Sequence, residues 1–411
     1  MSKLRLNTQG VSDNNKKFIL PWTGRGIDYT DEDINIVVDA MKNADPLTQG
    51  KHQKKFEEVF SEYHGGVKAF ATSSGAGALE IAADLIEIKP GDEIIVPAHT
   101  YVATVIPFAK RGAKIVWADI DLESRVVSAE TIEPKITSKT KAIIPVHLYG
   151  LCVQMEDIMD LSNDGNILII EDCAQALGAS YKEKKCGSFG DISIFSFHAQ
   201  KNMTTLGEGG MIMSKIPEFC DKIPGLRHNG HRAFDIFENE YWKPAMVNVD
   251  FDIENIWPHN FSIGEIQCAL GVNLLKRIDE INKRRQKKAQ YIIDALTKLE
   301  EIGFQKTPEY STNVFSNLSA LYLSKSSEVN RDDLIRLLSE EFRVQPVVQN
   351  NPLYRYPLLQ KAGFEEANCP NTDFFFDNML SLPFYEWYTY DQLDYLVSSV
   401  IKAIKSLRSM N

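Results

Sequence analysis

The chain has 411 residues, of which 44% are hydrophobic and 25% are charged, and its net charge is −11. This length predicts two or three domains, or one large α/β domain with an appendage. The composition is that of a globular protein and excludes a largely disordered chain. The acidic balance argues against nucleic-acid or anionic-membrane binding, and no apolar run approaches the roughly 20 residues that cross a bilayer.

The predicted elements divide the chain into three parts. Residues 1–30 are mostly polar and weakly patterned, which indicates an N-terminal arm. Between residues 31 and 279, short apolar strands alternate with helices, and this pattern predicts a large α/β domain whose mostly parallel sheet has both faces covered. Residues 280–411 keep strands and helices apart, which predicts a smaller α+β domain. Ligands of such sheets bind beyond the carboxyl ends of the strands.

Three short segments of the large domain carry candidate chemistry. The small-residue stretch after residue 71 joins a strand to a helix and exposes N–H groups suited to phosphate, although such a turn can be purely structural. Asp172 follows an apolar strand, where it is either a helix cap or a buried carboxylate with a partner. Lys201 lies in a mostly uncharged stretch, where it is either surface charge or a sequestered amine able to form a Schiff base.

Together the three segments match what pyridoxal phosphate requires from a protein. Backbone donors hold the phosphate, an aspartate keeps the pyridine nitrogen protonated, and a lysine binds the aldehyde as an imine. The three features occur in the chain order expected for one cofactor. The sequence therefore predicts a pyridoxal-phosphate enzyme.

Seven motifs extend this interpretation: residues 74–76, 97–104, 145–150, 171–176, 187–191, 195–202 and 207–210. In type, order and spacing they resemble the DegT/DnrJ/EryC1/StrS family of sugar aminotransferases, a branch of the fold-type-I pyridoxal-phosphate enzymes. The resemblance implies a three-layer α/β/α domain with a mostly parallel sheet, followed by a smaller C-terminal α+β domain. It also implies a homodimer with a shared active site.

The resemblance assigns roles to individual residues. Lys201 would form the Schiff base and then act as the catalytic base, and Asp172 would pair with the pyridinium nitrogen. Gln175 would lie near the ring hydroxyl, and Tyr101 would stack on the ring. Asn260 would reach the cofactor of the second subunit, although the arginine that usually follows is here Ser262. The expected phosphate-binding residues are Ser74, Gly75, Ala76 and Ser196, with Ala76 in place of the usual threonine.

The implied reaction is a ping-pong transfer of an amino group from L-glutamate to a keto or aldehyde sugar for lipopolysaccharide or another surface glycan. Two other activities stay open on this scaffold. Sugar dehydratases have a histidine at the position of Lys201, so the lysine disfavours them. A regulatory relative without catalysis would not need the set of Lys201, Asp172 and Gln175.

The acceptor is less well defined by the sequence. Many relatives aminate nucleotide-linked 3-keto or 4-keto hexoses and have a His-Tyr pair near the substrate, which the stretch 342–354 lacks. An eight-carbon ulosonate, aminated to 8-amino-3,8-dideoxy-manno-octulosonate, is therefore a second hypothesis. The cationic segment 226–232 is either a solvated loop or the site of an anionic substrate group. Its candidate substrate-binding residues are Arg227, His228, His231 and Arg232.

Metals and disulfides are not expected. His99 and His147 follow predicted strands and have no cysteine or histidine at the spacing of metal ligands. The six cysteines form no Cys-x-x-Cys pair, and a chain of this size needs no disulfide bonds. The N-terminal sequence lacks the apolar segment of a secretory signal. These features predict a cytoplasmic protein with reduced cysteines.

Overall fold

The computed structural model describes residues 17–162, 167–231, 253 and 256–409. Among these residues, no helix has the length and apolar character needed to cross a membrane. The strands are β1 (Lys68–Thr72), β2 (Glu93–Pro97), β3 (Lys114–Ala118), β4 (Thr140–Ile143), β5 (Leu168–Asp172), β6 (Ser180–Tyr181), β7 (Lys184–Lys185), β8 (Ile192–Ser196), β9 (Gly210–Ser214), β10 (Ile302–Phe304), β11 (Leu318–Tyr322) and β12 (Met379–Leu382).

The helices surround these strands and pack mainly through amphipathic faces. They are α1 (Asp31–Asn43), α2 (Lys51–Tyr63), α3 (Gly75–Leu85), α4 (Ile106–Ala109), α5 (Ala129–Ile132), α6 (Met155–Asp160), α7 (Pro217–Arg227), α8 (Glu265–Leu275), α9 (Ile278–Leu296), α10 (Arg331–Glu340), α11 (Pro357–Lys361), α12 (Pro370–Asn378) and α13 (Tyr390–Ser409). Capping boxes mark the starts of α1, with Thr30 and Asp33, and of α10, with Asn330 and Asp333.

The large sheet has seven strands in the order β1-β9-β8-β5-β4-β2-β3. The five neighbouring strands from β8 to β3 pair in parallel, and β9 runs antiparallel to both β8 and β1. Successive residues of one strand enter the cores on opposite faces, as Ile169 and Ile170 of β5 do. The predicted three-layer α/β/α class with a mostly parallel sheet is confirmed.

The smaller unit is built on a second sheet of three antiparallel strands, β10-β11-β12. Helices α9, α10 and α13 contribute apolar side chains to its own hydrophobic core, and Leu20 from the N-terminal segment is fully buried in that core. Helix α9 begins at Ile278, two residues before the predicted boundary at 280. The division into 1–30, 31–279 and 280–411 remains a prediction.

A buried arginine joins the two units. Arg125 follows β3 of the large sheet and is 1% exposed. Its guanidinium donates to the carbonyl oxygens of Gly303 (2.8 Å) and Ser319 (3.0 Å), and it lies 4.8 Å from the centre of the Phe375 ring. Burial lowers the pKa of Arg125 to about 10, against the opposing effect of Tyr149. The junction between the units therefore includes a cation held by backbone carbonyls and an aromatic ring.

Candidate active site

A cavity of about 680 Å³ opens at the carboxyl-end edge of the large sheet. The ends of β5 and β8 and the loops that follow β1 and β2 line it, which is the position expected for this class of sheet. Most of the residues predicted to bind the cofactor meet there. They are Ser74, Gly75, Ala76, Tyr101, Asp172, Gln175, Ser196 and Lys201.

The turn between β1 and α3 forms one wall and has the properties of a phosphate cradle. Ser74 caps α3, and its Oγ accepts the N–H of Gly77 at 3.0 Å. Among the described residues, no protein group accepts from the N–H groups of Gly75 and Ala76, and both residues line the cavity. A Cβ on Gly75 would lie 2.9 Å from the Cβ of Ser196, so only glycine allows this close approach. Free donors at a helix N-terminus suit an anion.

Asp172 ends β5 and is 4% exposed. Its Oδ2 accepts from the hydroxyl of Thr104 (2.8 Å), and its Oδ1 accepts from the N–H of Ala174 (3.1 Å). Burial raises the pKa of Asp172, while these two donors and the nearby Lys201 oppose the rise. A buried carboxylate with so few donors favours a cationic partner in the cavity.

Lys201 supplies a primary amine to the same cavity. Its main chain is held in a turn, where its N–H donates to the carbonyl of His198 at 2.9 Å. Burial lowers the pKa of Lys201, and the Asp172 carboxylate partly offsets this effect. A lowered pKa increases the fraction of neutral amine, which is the form that attacks carbonyls and accepts protons.

Gln175 and Tyr101 complete the set. Gln175 Oε1 accepts from the N–H of Tyr149 at 2.9 Å and from the hydroxyl of Ser316 at 3.4 Å. These contacts fix the orientation of the amide and leave its NH₂ group to donate toward the cavity. The Tyr101 side chain lines the cavity, and the residue is 62% exposed. An amide donor and an uncovered ring both suit a planar, hydroxyl-bearing cofactor.

The neighbouring carboxylate, Glu171, points away from the cavity into the core. It is fully buried and accepts from the N–H groups of Gly187, Phe189 and Gly190, each at 2.7 Å. His147 lies 3.0 Å away through Nε2. Burial acts to raise the pKa of Glu171, but these donors outweigh it and leave the pKa below its usual value.

The surroundings of His147 differ from the sequence expectation. The structure pairs Cys152 with Cys186, 34 residues apart, and both sulfur atoms lie near the His147 ring. This pairing differs from the expectation of reduced cysteines, and the fold brings both sulfur atoms near a histidine that has no cysteine at metal-ligand spacing in the sequence. Since Nδ1 of His147 accepts the N–H of Val153 at 3.0 Å, Nε2 carries the proton donated to Glu171. Both ring nitrogens are thus engaged, and neither has a lone pair available for a metal.

Comparison with known proteins identifies the chain. The model of the DegT/DnrJ/EryC1/StrS aminotransferase family matches residues 28–401. The chain belongs to this family. It is a pyridoxal-phosphate-dependent aminotransferase, and the donors, carboxylate and lysine of the cavity fit that cofactor.

Two relatives and one solved structure illustrate the similarity. GDP-perosamine synthase from Vibrio cholerae is 33% identical over 78% of this chain and 83% of its own. UDP-4-amino-4-deoxy-L-arabinose–oxoglutarate aminotransferase from Shewanella sediminis is 30% identical over 91% of this chain and 96% of its own. The PMP form of the sugar aminotransferase Spr1654 from Streptococcus pneumoniae superposes with a TM-score of 0.83, at 26% identity, over 93% and 99% of the two chains.

In this aminotransferase the smaller unit supplies the opposite wall of the cavity, which the sequence did not predict. Gln349 Oε1 accepts from the Ser381 hydroxyl at 2.7 Å, which leaves the Gln349 NH₂ group as a donor. The other wall residues from this region are Ser316, Asn317, Asn350 and Tyr356. They have no strand-end motif to mark them. The sequence also did not predict the contact of Thr104 with Asp172, although Thr104 is the last residue of the motif 97–104.

Several predicted residues lie outside the cavity. Asn260 is exposed, and its backbone pairs with that of His228 in an isolated bridge. The residues that line the cavity do not include Asn260, His228 or His231. Arg227 is 2% exposed, and its guanidinium binds Glu57 and the carbonyl of Ala71. The prediction that Arg227 binds substrate is wrong, because this cation is already paired in the interior. Arg232 lies outside the described residues.

Proposed function

We propose that this aminotransferase transfers an amino group from L-glutamate to a keto or aldehyde sugar by a ping-pong mechanism in the cytoplasm. The product would enter lipopolysaccharide or another surface glycan. The observation that carries the proposal is that Lys201, Asp172 and Gln175 line the same cavity as the free N–H groups of the β1–α3 turn. When bound, pyridoxal phosphate supplies an aldehyde that condenses with amines and a ring that accepts electrons.

The side chains of the cavity divide the work. Lys201 would hold the cofactor through its amine, and as a free amine it would serve as the base that accepts and returns a proton. Its lowered pKa supports this role as a base. Asp172 would keep a proton on the pyridine nitrogen, the Gln175 amide would donate to the ring hydroxyl, and Tyr101 would lie against the ring. The β1–α3 turn and Ser196 would hold the phosphate.

Two classes of acceptor have support. The relatives named for GDP-perosamine and for UDP-4-amino-4-deoxy-L-arabinose favour a nucleotide-linked keto sugar. The amide-lined wall of Asn317, Gln349 and Asn350 is rich in neutral hydrogen-bonding groups, which also suits the hydroxyl chain of an eight-carbon ulosonate. We place the nucleotide-linked sugar first because it has the support of the relatives.

A second copy of the chain would complete the site. Helix α1 exposes Ile34, Val38 and Met41 at 50%, 41% and 63%, and the spacing of these residues puts them on one face. Leu47 adds a side chain that is 60% exposed. An apolar face of this kind is typical of an interface between protein chains. We propose that it supports a homodimer in which Asn260 reaches the partner's cavity.

The decisive experiment measures the two half-reactions separately. Lys201→Ala and Lys201→Arg should remove the visible absorbance of the lysine-bound cofactor and lower turnover by at least about 10²–10⁴-fold, because both the covalent link and the base are lost. Wild-type enzyme should convert glutamate to 2-oxoglutarate in one equivalent per site. Retained turnover in either variant would exclude the assigned role of Lys201.

The acceptor is then identified with the pyridoxamine form. GDP-4-keto-6-deoxymannose, a UDP-4-keto-pentose and the 8-oxo ulosonate are offered in turn, and the aminated product is measured by mass. An amine formed in step with 2-oxoglutarate supports transamination. A deoxygenated sugar without an amine would indicate a dehydratase instead, and no reaction with any amino donor would indicate a regulatory protein.

A further inference from the structure

A short N-terminal segment joins the smaller unit to the turn that carries Lys201. We call residues 20–26 the strap. At its first end, Leu20 is fully buried in the core of the smaller unit, and its carbonyl accepts the N–H of Gln345 at 3.0 Å. The N–H of Trp22 donates to Oε1 of Gln345 (3.0 Å), and that of Thr23 donates to the hydroxyl of Tyr385 (2.5 Å).

The other end of the strap lies directly against the lysine turn. The N–H of Gly26 donates to the carbonyl of Ala199 at 2.7 Å, and the side-chain amide of Gln200 donates to the carbonyl of Thr23 at 3.3 Å. A Cβ on Gly26 would lie 2.1 Å from the carbonyl oxygen of Lys201. The backbone of the lysine itself therefore occupies the space that any larger residue at position 26 would need.

We infer that Gly26 is a positioning residue for Lys201, and that the strap sets the lysine main chain in register with the wall that the smaller unit contributes. The inference rests on the proposed role of Lys201. Its reasoning is steric, because the strap touches the lysine on the main-chain side, while the amine works on the cavity side. With the main chain fixed, the amine would keep one position at the cavity.

The chain provides a matched control two residues away. Gly24 is exposed, and a Cβ there would meet no atom within 4 Å. Neither Gly24 nor Gly26 has a positive φ angle, so the φ angle itself does not disfavour alanine at either position, and the two sites differ in the space around the added methyl group. Gly24→Ala and Gly26→Ala therefore change the same chemical group in the same segment, and only the second pushes on Lys201.

The test uses full-length enzyme loaded with pyridoxal phosphate. For each variant we would titrate the visible absorbance of the bound cofactor against pH, and measure the rate and apparent affinity of the single-turnover reaction with glutamate. Gly26→Ala should shift the absorbance titration and slow the reaction by about 10–100-fold, the effect of displacing a catalytic group by up to 1 Å, with little change in affinity. Gly24→Ala should match the wild type within about twofold.

The outcomes separate positioning from stability. If Gly26→Ala lowers the melting temperature but leaves the absorbance titration and the rate unchanged, the inference is overturned. If Gly26→Ala does not fold, Tyr385→Phe decides, because it removes the hydroxyl that accepts from the N–H of Thr23 and adds no atom against the turn that carries Lys201. It should shift the titration in the same direction by less. An unchanged titration in Tyr385→Phe would then overturn the inference. If wild-type enzyme does not react with glutamate, the proposed function fails, while the absorbance titration still tests Gly26.

Discussion

Glu171 and Asp172 are adjacent carboxylates on one strand, yet their environments are opposite. Glu171 faces the core and accepts from three backbone N–H groups at 2.7 Å, and its pKa is lowered. Asp172 faces the cavity with donors from Thr104 and Ala174, and its pKa is raised. Because the period of a strand is two, neighbouring residues point to opposite faces. One strand end therefore provides both a structural anchor and a reactive group.

The difference shows how burial can serve two purposes. A carboxylate whose lone pairs are all satisfied is a fixed part of the fold, and it organises the loop from Gly187 to Gly190. A buried carboxylate with fewer donors is stabilised by a nearby positive charge. Asp172 faces the cavity, where a protonated pyridine nitrogen would provide that charge.

The largest expected effect comes from Asp172→Asn. An amide of the same shape cannot stabilise the protonated pyridine nitrogen, so we expect turnover to fall by about 10²–10⁴-fold, the range for a positioned proton-handling group. The melting temperature should change little, since the amide keeps the size of the side chain. Circular dichroism and steady-state turnover provide the measurement. Near-normal turnover would show that Asp172 does not act in the reaction.

Glu171→Gln should have the reverse effect and act on stability. The amide presents one acceptor oxygen to donors that a carboxylate satisfies with two, so the variant leaves buried N–H groups without partners. Breaking a buried charged network in this way costs about 3–5 kcal/mol. Urea unfolding of the two variants in parallel measures the difference. A stable Glu171→Gln enzyme with lost turnover would mean that both carboxylates act in the reaction.

A smaller effect is expected for Thr104→Val, which removes one donor from Asp172. The loss of a hydrogen bond to the charged form raises the pKa of Asp172 further. Activity should therefore decline at a higher pH on the acidic side, by up to about one pH unit, equivalent to roughly 1.4 kcal/mol. Thr104→Ser retains the hydroxyl and serves as the control. If the activity of the two variants declines at the same acidic pH, this hydrogen bond does not set the pKa of Asp172.

At neutral pH the smallest effect concerns buried histidines that, unlike Glu171, lack a full set of partners. Burial lowers the pKa of His64 to about 4 and of His99 to about 3, and each has one ring nitrogen without a partner. As pH falls below about 6.5, these histidines become protonated in the unfolded chain but stay neutral in the folded chain. Stability should therefore decrease between about pH 6.5 and 4, by roughly 1.4 kcal/mol per pH unit per group.

His64→Phe tests this pH dependence. The ring lies among Phe60 and Phe195, so phenylalanine suits the site, although the bond from Nδ1 to the Phe60 carbonyl is lost. Stability at neutral pH should fall slightly, and the slope of stability against pH below 6.5 should become shallower. Chemical unfolding at several pH values measures both. An unchanged slope would show that His64 does not contribute to the acid sensitivity.

The sequence predicted those parts of the site that are encoded locally. The β1–α3 turn and Lys201 follow strands within a few residues, and Asp172 ends one, so the sequence pattern predicted their place at the sheet edge. The position of Gln349 and its partner Ser381 was not predicted, because nothing local indicates that the smaller unit folds back over a cavity formed by residues much earlier in the chain. Contacts of this kind depend on tertiary packing.

The predictions made from local charge and from cysteine spacing failed because the contacts of these residues also depend on tertiary packing. The segment around Arg227 is locally cationic, but its partner Glu57 lies 170 residues away and turns a surface feature into an interior ion pair. Cys152 and Cys186 are 34 residues apart with no spacing motif, yet the fold brings them together. In both cases the residue type was readable from the sequence, but its environment was not.

The arginine at the junction has a consequence for the behaviour of the enzyme in salt. Dissolved ions screen ion pairs at the surface, and the screening length is about 10 Å at 0.1 M salt and shortens as ionic strength rises. Arg125 instead bonds to the carbonyls of Gly303 and Ser319 in a buried setting that mobile ions do not reach. The two walls of the cavity should therefore keep their spacing from dilute buffer to molar salt, and any loss of activity there would reflect weaker binding of charged substrates.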